Sequence, residues 1–99
     1  MKRGEVWWVE FDRTTSSETR KTRPAIIVSN DSANRHLGRV GVVPLTGSID
    51  RLYPGEALVM VGGQRRKAMV DQIISASKTR LTSQLGTLAN SDLLLVETP

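Results

Sequence analysis

The apolar positions of this chain fall in short runs that alternate with polar ones at a spacing of two, the period of a half-buried β-strand. Glu5-Val6-Trp7-Trp8-Val9-Glu10-Phe11 is the first run, rich in β-branched and aromatic residues. It sets Trp7, Val9 and Phe11 on one face and Val6 and Trp8 on the other, so both faces want cover. Residues 12–22 are polar and predict a loop that is long for a plain hairpin. A proline then opens an apolar stretch, Pro24-Ala25-Ile26-Ile27-Val28-Ser29, which predicts a second strand over residues 25–29 with Pro24 at its mouth. The proline also pushes Arg23 towards extended geometry and gives that side chain a defined position.

The same signals continue to the end. Asn30-Asp31-Ser32 can cap a short helical turn that Gly38 ends, and residues 39–45 form a third strand. A loop from Gly47 to Pro54 leads to a fourth strand, Glu56–Val61. After the Gly62-Gly63-Gln64 turn, residues 67–74 make a fifth, with Asp71-Gln72 inside it. One helical turn at Ser77-Lys78-Thr79-Arg80, a short strand over residues 84–88 and a helix capped by Asn90 or Ser91 complete the chain. Five or six short strands with turn signals between them predict a mainly β, strongly bent small barrel forming one domain over residues 1–99.

Composition narrows the chemistry. There is no cysteine and only one histidine, His36, which removes disulfides, thiolate metal sites and a histidine-based zinc centre. No run approaches the roughly 18–20 apolar residues of a membrane span, and the expected location is the cytoplasm. Fourteen basic residues stand against ten acidic ones, a net charge of +4, and every basic residue lies at or before Arg80. Such a footprint suits nucleic acid or an acidic protein partner, although a solvated basic face needs no partner at all.

An ordered set of short motifs runs through this pattern: Arg3-Gly4-Glu5-Val6-Trp7, Glu18 five residues before Arg23-Pro24, Asn30-Asp31, Asn34-Arg35, Pro44-Leu45-Thr46 and Asp71-Gln72-Ile73. Together they resemble the MazF/PemK toxins of type II toxin–antitoxin pairs. The resemblance implies a homodimeric SH3-like barrel that cuts single-stranded mRNA at short sequences without metal or cofactor. It also implies a MazE-like antitoxin whose acidic tail blocks the site. By the same resemblance Arg23 and Thr46 match the catalytic arginine and threonine, and Glu18 a loop glutamate that acts as base in some members. Asp71 and Gln72 match a pair at the end of the fifth strand, on the substrate side. This chain departs from the pattern in having Arg66 where many members carry serine. Met69 stands where PemK-like members place a second catalytic arginine, so the MazF arrangement fits better.

The residues make chemical sense without the family. An RNA 2′-hydroxyl is its own nucleophile, so a protein need supply only a proton acceptor, a proton donor and positive charge for the phosphorane. A guanidinium at Arg23 matches phosphate oxygens bidentately, and the Thr46 hydroxyl can donate to the same phosphate. Arginine stays protonated, which leaves Glu18 as the better base. Arg20, Lys21, Ser48, Arg65 and Arg66 are the further candidates for holding an RNA backbone. Each has an ordinary reading too: Arg23 as a surface arginine, Thr46 as a turn residue, Glu18 as a solvated charge, Arg65 and Arg66 as protection of an edge strand. Two other functions suit such a barrel, a CcdB-like DNA gyrase poison and a non-catalytic nucleic-acid-binding module. The C-terminal Leu94-Leu95-Val96-Glu97-Thr98-Pro99 lacks the aromatic end of the gyrase poisons.

Overall fold

Among the described residues the alternating runs become seven antiparallel strands and two short helices. The computed structural model describes residues 1–11 and 21–97, with the backbone alone for Lys21. Its elements are β1 (Glu5–Phe11), β2 (Lys21–Ile27), α1 (Asp31–His36), β3 (Arg39–Thr46), β4 (Glu56–Val61), β5 (Gln64–Met69), β6 (Ile74–Ser77), β7 (Leu81–Thr87) and α2 (Asn90–Glu97). Single 3₁₀ turns stand at Val70–Gln72 and Lys78–Arg80. Along the sheet the order is β4-β5-β3-β2-β1-β7, with β6 also on β3. The sheet is bent so far that β7 returns to β4: a side chain at Gly86 would touch Val61. The mainly β class therefore holds, with seven strands where five or six were expected.

The two-faced reading of β1 explains the packing. Val6 lies in one apolar cluster with Ile26, Val43, Leu45, Val59 and Val96. Val9 lies in a second cluster with Ala25, Ile27, Val42 and Ala76, and Trp7 and Phe11 pack against that one. Irregularities on either side of Trp7-Trp8 let β1 follow the bend against β7. The β4–β5 hairpin closes through Gly62 and Gly63, both at positive φ, as a two-residue turn of the twist-compatible kind.

The polar motifs near the start of the chain turn out to be joints. Asn30 caps α1 by accepting from Ala33 N at 2.8 Å, and Asp31 accepts from Arg3 N at 2.7 Å. Asn34 is buried; its amide donates to Ser29 O and its carbonyl accepts from the Ser29 hydroxyl. At the other end Arg3 pairs with Glu97, and Asp92 accepts from Met60 N at 2.9 Å, which seats α2 against β4. The four apolar residues of α2 divide as a short helix must: Leu93 and Val96 face the first core, while Leu94 and Leu95 are exposed.

Several boundaries differ from expectation, three of them by the pairing of distant strands. Pro24 is the fourth residue of β2, opposite Trp8, not its mouth, because β1 recruits the polar Lys21, Thr22 and Arg23 into its ladder. β7 begins at Leu81 for the same reason, pairing with Val9. The expected fifth strand over residues 67–74 is two strands. Leu45 pairs with Ala68 and Val42 with Ile74, so between those pairs the β5–β6 path holds three more residues than β3. The surplus leaves the ladder as the Val70–Gln72 turn, and Asp71, Gln72, Ile73 and Ile74 are all exposed.

Candidate active site

Arg23 and Thr46 lie just beyond the point where the β2–β3 ladder opens. The paired register runs Ile27–Val42, Ile26–Val43, Ala25–Pro44 and stops there. Neither Pro24 nor Pro44 can donate a ladder bond. Carried two residues past its last pair, that register would set Arg23 against Thr46, and both are half-buried. By the alternation of strand side chains they share the face of Ala25 and Val42, so they stand at the open margin of the second core.

On its other edge β3 passes from β6 to β5, where Thr46 pairs with Lys67. Directly opposed side chains share a face, so Thr46 and Lys67 stand on one face, and Arg23 joins them there if the β2 register is carried on. The Thr46 hydroxyl oxygen accepts the Ser48 N–H at 3.3 Å, which leaves its proton for a phosphate. Lys67 is only 9% exposed. Its ammonium sits 3.2 Å from Glu56 Oε1 and donates to Arg51 O at 3.0 Å. The same carboxylate oxygen accepts from Tyr53 N at 2.8 Å. That N–H above all holds the Glu56 carboxyl below its ordinary value; burial opposes it, and Lys67 adds a hydrogen bond and its charge.

The other expected residues divide. Glu18 and Arg20 lie outside the described residues, as does the side chain of Lys21, whose backbone pairs with Phe11. Ser48 is exposed two residues from Thr46. Arg65 and Arg66 do not act as one patch. Arg65 is on the Lys67 face and exposed; Arg66 is on the opposite face, opposite the core residue Val59, and donates to Gln64 Oε1 at 3.1 Å. Asp71 and Gln72 are not buried strand residues in need of partners. They sit on the exposed 3₁₀ turn, where Val70 N and Asp71 N donate to Gly55 O at 3.0 and 3.3 Å. His36 is exposed on α1 with Nδ1 donating to Ser32 O.

This arrangement has counterparts among known proteins. Residues 2–98 match the family model described as PemK-like, MazF-like toxin of type II toxin–antitoxin system. The chain belongs to this family. Among curated relatives, endoribonuclease MazF9 of Mycobacterium tuberculosis is 38% identical over 102 residues, covering 94% of this chain and 86% of that protein. Endoribonuclease toxin MazF of Escherichia coli K12 is 36% identical over 97 residues, covering 95% of this chain and 85% of its own length. A solved mycobacterial endoribonuclease in complex with its cognate antitoxin superposes with a TM-score of 0.79 at 26% identity, covering 99% of this chain and 88% of that one.

Against that background of PemK/MazF-like toxins, the Lys67–Glu56–Tyr53 group is what sequence reasoning missed. Tyr53 and Glu56 are three residues apart and Lys67 follows on the next strand, but no single strand pattern contains the group. The available signal was a lysine inside an otherwise core-facing segment, Lys67-Ala68-Met69, with one acidic residue at the start of the preceding strand.

Proposed function

We propose that this PemK/MazF-like protein is the toxin of a type II pair, a sequence-specific endoribonuclease that cuts single-stranded RNA through the substrate's own 2′-hydroxyl. The observation that carries this reading is the placement of Arg23 and Thr46 on one face, where the β2–β3 ladder opens, in a chain that matches named endoribonucleases along most of its length. Arg23 grips the scissile phosphate and stabilises charge on the phosphorane, and Thr46 donates one hydrogen bond to it. Glu18 takes the 2′-hydroxyl proton. The 2′-oxygen bonds to phosphorus as the 5′-oxygen leaves and is protonated, giving a 2′,3′-cyclic phosphate and a 5′-hydroxyl. Arg20, Lys21, Ser48 and Arg65 hold the strand on either side; Asp71 and Gln72 shape the Gly55 end of the neighbouring loop.

The reading needs no metal because its nucleophile comes with the substrate. The chain has no cysteine and one histidine, and among the described residues no three His, Asp or Glu groups gather. Among the described residues no helix is long and apolar enough to cross a membrane, and the toxin acts in the cytoplasm on RNA there. An antitoxin with an acidic tail covers the basic margin, as expected where a relative is seen with its cognate antitoxin. The protein works as a homodimer: exposed Leu94, Leu95, Ile73 and Ile74 and the half-buried Trp8 leave more apolar surface than one small barrel covers. Light scattering at tens of micromolar should give twice the chain mass; a monomer there removes the dimer from this account.

Incubating the purified protein with total RNA in EDTA and mapping the new 5′ ends tests the function. Cuts should recur at one short sequence and leave 5′-hydroxyl ends. Absence of cleavage, or 5′-phosphate ends, rules the reaction out. The gyrase alternative predicts inhibited supercoiling by the same preparation instead.

A further inference from the structure

Tyr53 is an exposed aromatic ring on a fixed mount. The ring is 53% exposed, yet four contacts hold its loop. Its own N–H is bonded to Glu56, Lys67 reaches the Arg51 carbonyl, Glu56 and Lys67 pair beneath it, and Gly55 O accepts from Val70 N at 3.0 Å. The Lys67 ammonium also lies 5.6 Å from the ring centroid, so one face of the ring rests on a buried cation. A tyrosine kept for the core would be covered, and one on an ordinary loop would not sit on a buried ion pair. Lys67 is the strand partner of Thr46, which places this mount beside the reacting end of the site.

Resting on the ribonuclease reading, we propose that Tyr53 is a stacking platform for one unpaired base of the RNA, next to the nucleotide whose phosphate lies at Arg23 and Thr46. Lys67 is its positioning residue. An unpaired base offers a flat π-face to any aromatic held in its path, and stacking of this kind contributes substantially per base. Holding the ring before the substrate arrives lessens the ordering cost of binding. The arrangement acts on binding more than on the chemical step, since Tyr53 places no donor on the phosphate.

The experiment uses the whole protein and one RNA oligonucleotide carrying the mapped cut sequence, made also with a single abasic site at each position flanking the cut. Y53A should raise KM by roughly five- to a hundred-fold while kcat stays within about threefold, and Y53W should restore KM. In the wild type one abasic position should cost a similar factor, and Y53A should be indifferent to that position alone. K67M should raise KM as Y53A does, and Y53W added to it should not rescue. Trypsin should then cut after Arg51 several times faster, because the carbonyl that Lys67 held is released. Thermal unfolding of each variant separates these effects from misfolding; if K67M does not fold, the Y53A and abasic results decide alone. A wild-type KM for Y53A, or equal sensitivity of Y53A and wild type at every abasic position, overturns the platform and leaves the ribonuclease standing. A wild-type KM combined with weaker binding of an acidic antitoxin peptide assigns the ring to a protein partner and equally overturns it. A wild-type protein that cleaves no RNA removes both readings.

Discussion

Changing Arg23 to alanine should leave a folded protein whose RNA cleavage falls by about 10²–10³, the usual worth of a group aimed at transition-state charge. The expectation rests on where the residue stands. Its backbone is fixed by the β1–β2 ladder opposite Val9, so the strand survives truncation of the side chain. The side chain lies beyond the last β2–β3 pair, past the packed residues of the second core. Arg23→Lys should recover only part of the loss, since an ammonium keeps the charge but not the planar fork. Thr46→Ala should cost less than Arg23→Ala, because it removes one neutral hydrogen bond. Single-turnover rates on a cleavable oligonucleotide, with thermal unfolding as the control, measure this series. Wild-type cleavage by Arg23→Ala at unchanged stability would show that the site lies elsewhere.

The second large effect is on the substrate side. An oligonucleotide with a single deoxyribose 5′ of the scissile phosphate should bind and remain uncut in EDTA, while the all-RNA version is cleaved completely. Without the 2′-oxygen there is no nucleophile, and no substituted group of the protein could compensate. Binding persists because Arg23 and the basic margin contact phosphate whichever sugar carries it. Cleavage of the deoxy strand, or loss of all-RNA cleavage on chelation, overturns the internal-attack mechanism. The two experiments are independent, one removing the nucleophile and the other the charge that receives its product.

How far the sequence could be read depended on whether local pattern or distant pairing decided each element. β1 and β4 follow their period-two runs to the residue, since both faces of each are decided by their own side chains. β2 and β7 start earlier than their apolar runs because β1 supplies the hydrogen-bonding partner for polar residues that show no strand signal. The division of residues 67–74 into β5 and β6 was hidden for a related reason. An insertion against β3 is a property of two registers, and nothing in Val70-Asp71-Gln72 alone marks it. In the candidate site, Arg23 immediately precedes a proline and Thr46 stands two residues after one, which marks both in the sequence. Arg65 and Arg66, both candidates for holding RNA, fall on opposite faces because adjacent strand residues alternate. The Lys67 group lies within residues 51–67, but its contacts form only when the β4–β5 hairpin and the loop before it fold together, and no periodic pattern joins them.

The pairing of β1 with β7, Glu5 with Thr87, bears on how such a toxin is made. β1 must wait for β7, synthesised after the other strands described, before its second edge is closed. Contacts between residues so far apart form slowly, and domains emerge from the ribosome beginning with their N-terminal part. While translation is under way, the β1–β2–β3 segment that carries Arg23 and Thr46 exists before Leu88 and Val96 arrive to complete the first core. The residues proposed for the site are thus synthesised before the elements that complete the scaffold around them. Arrival of β7 and α2, and not the appearance of Arg23 and Thr46, is the event that would ready the proposed site beside the very message being read.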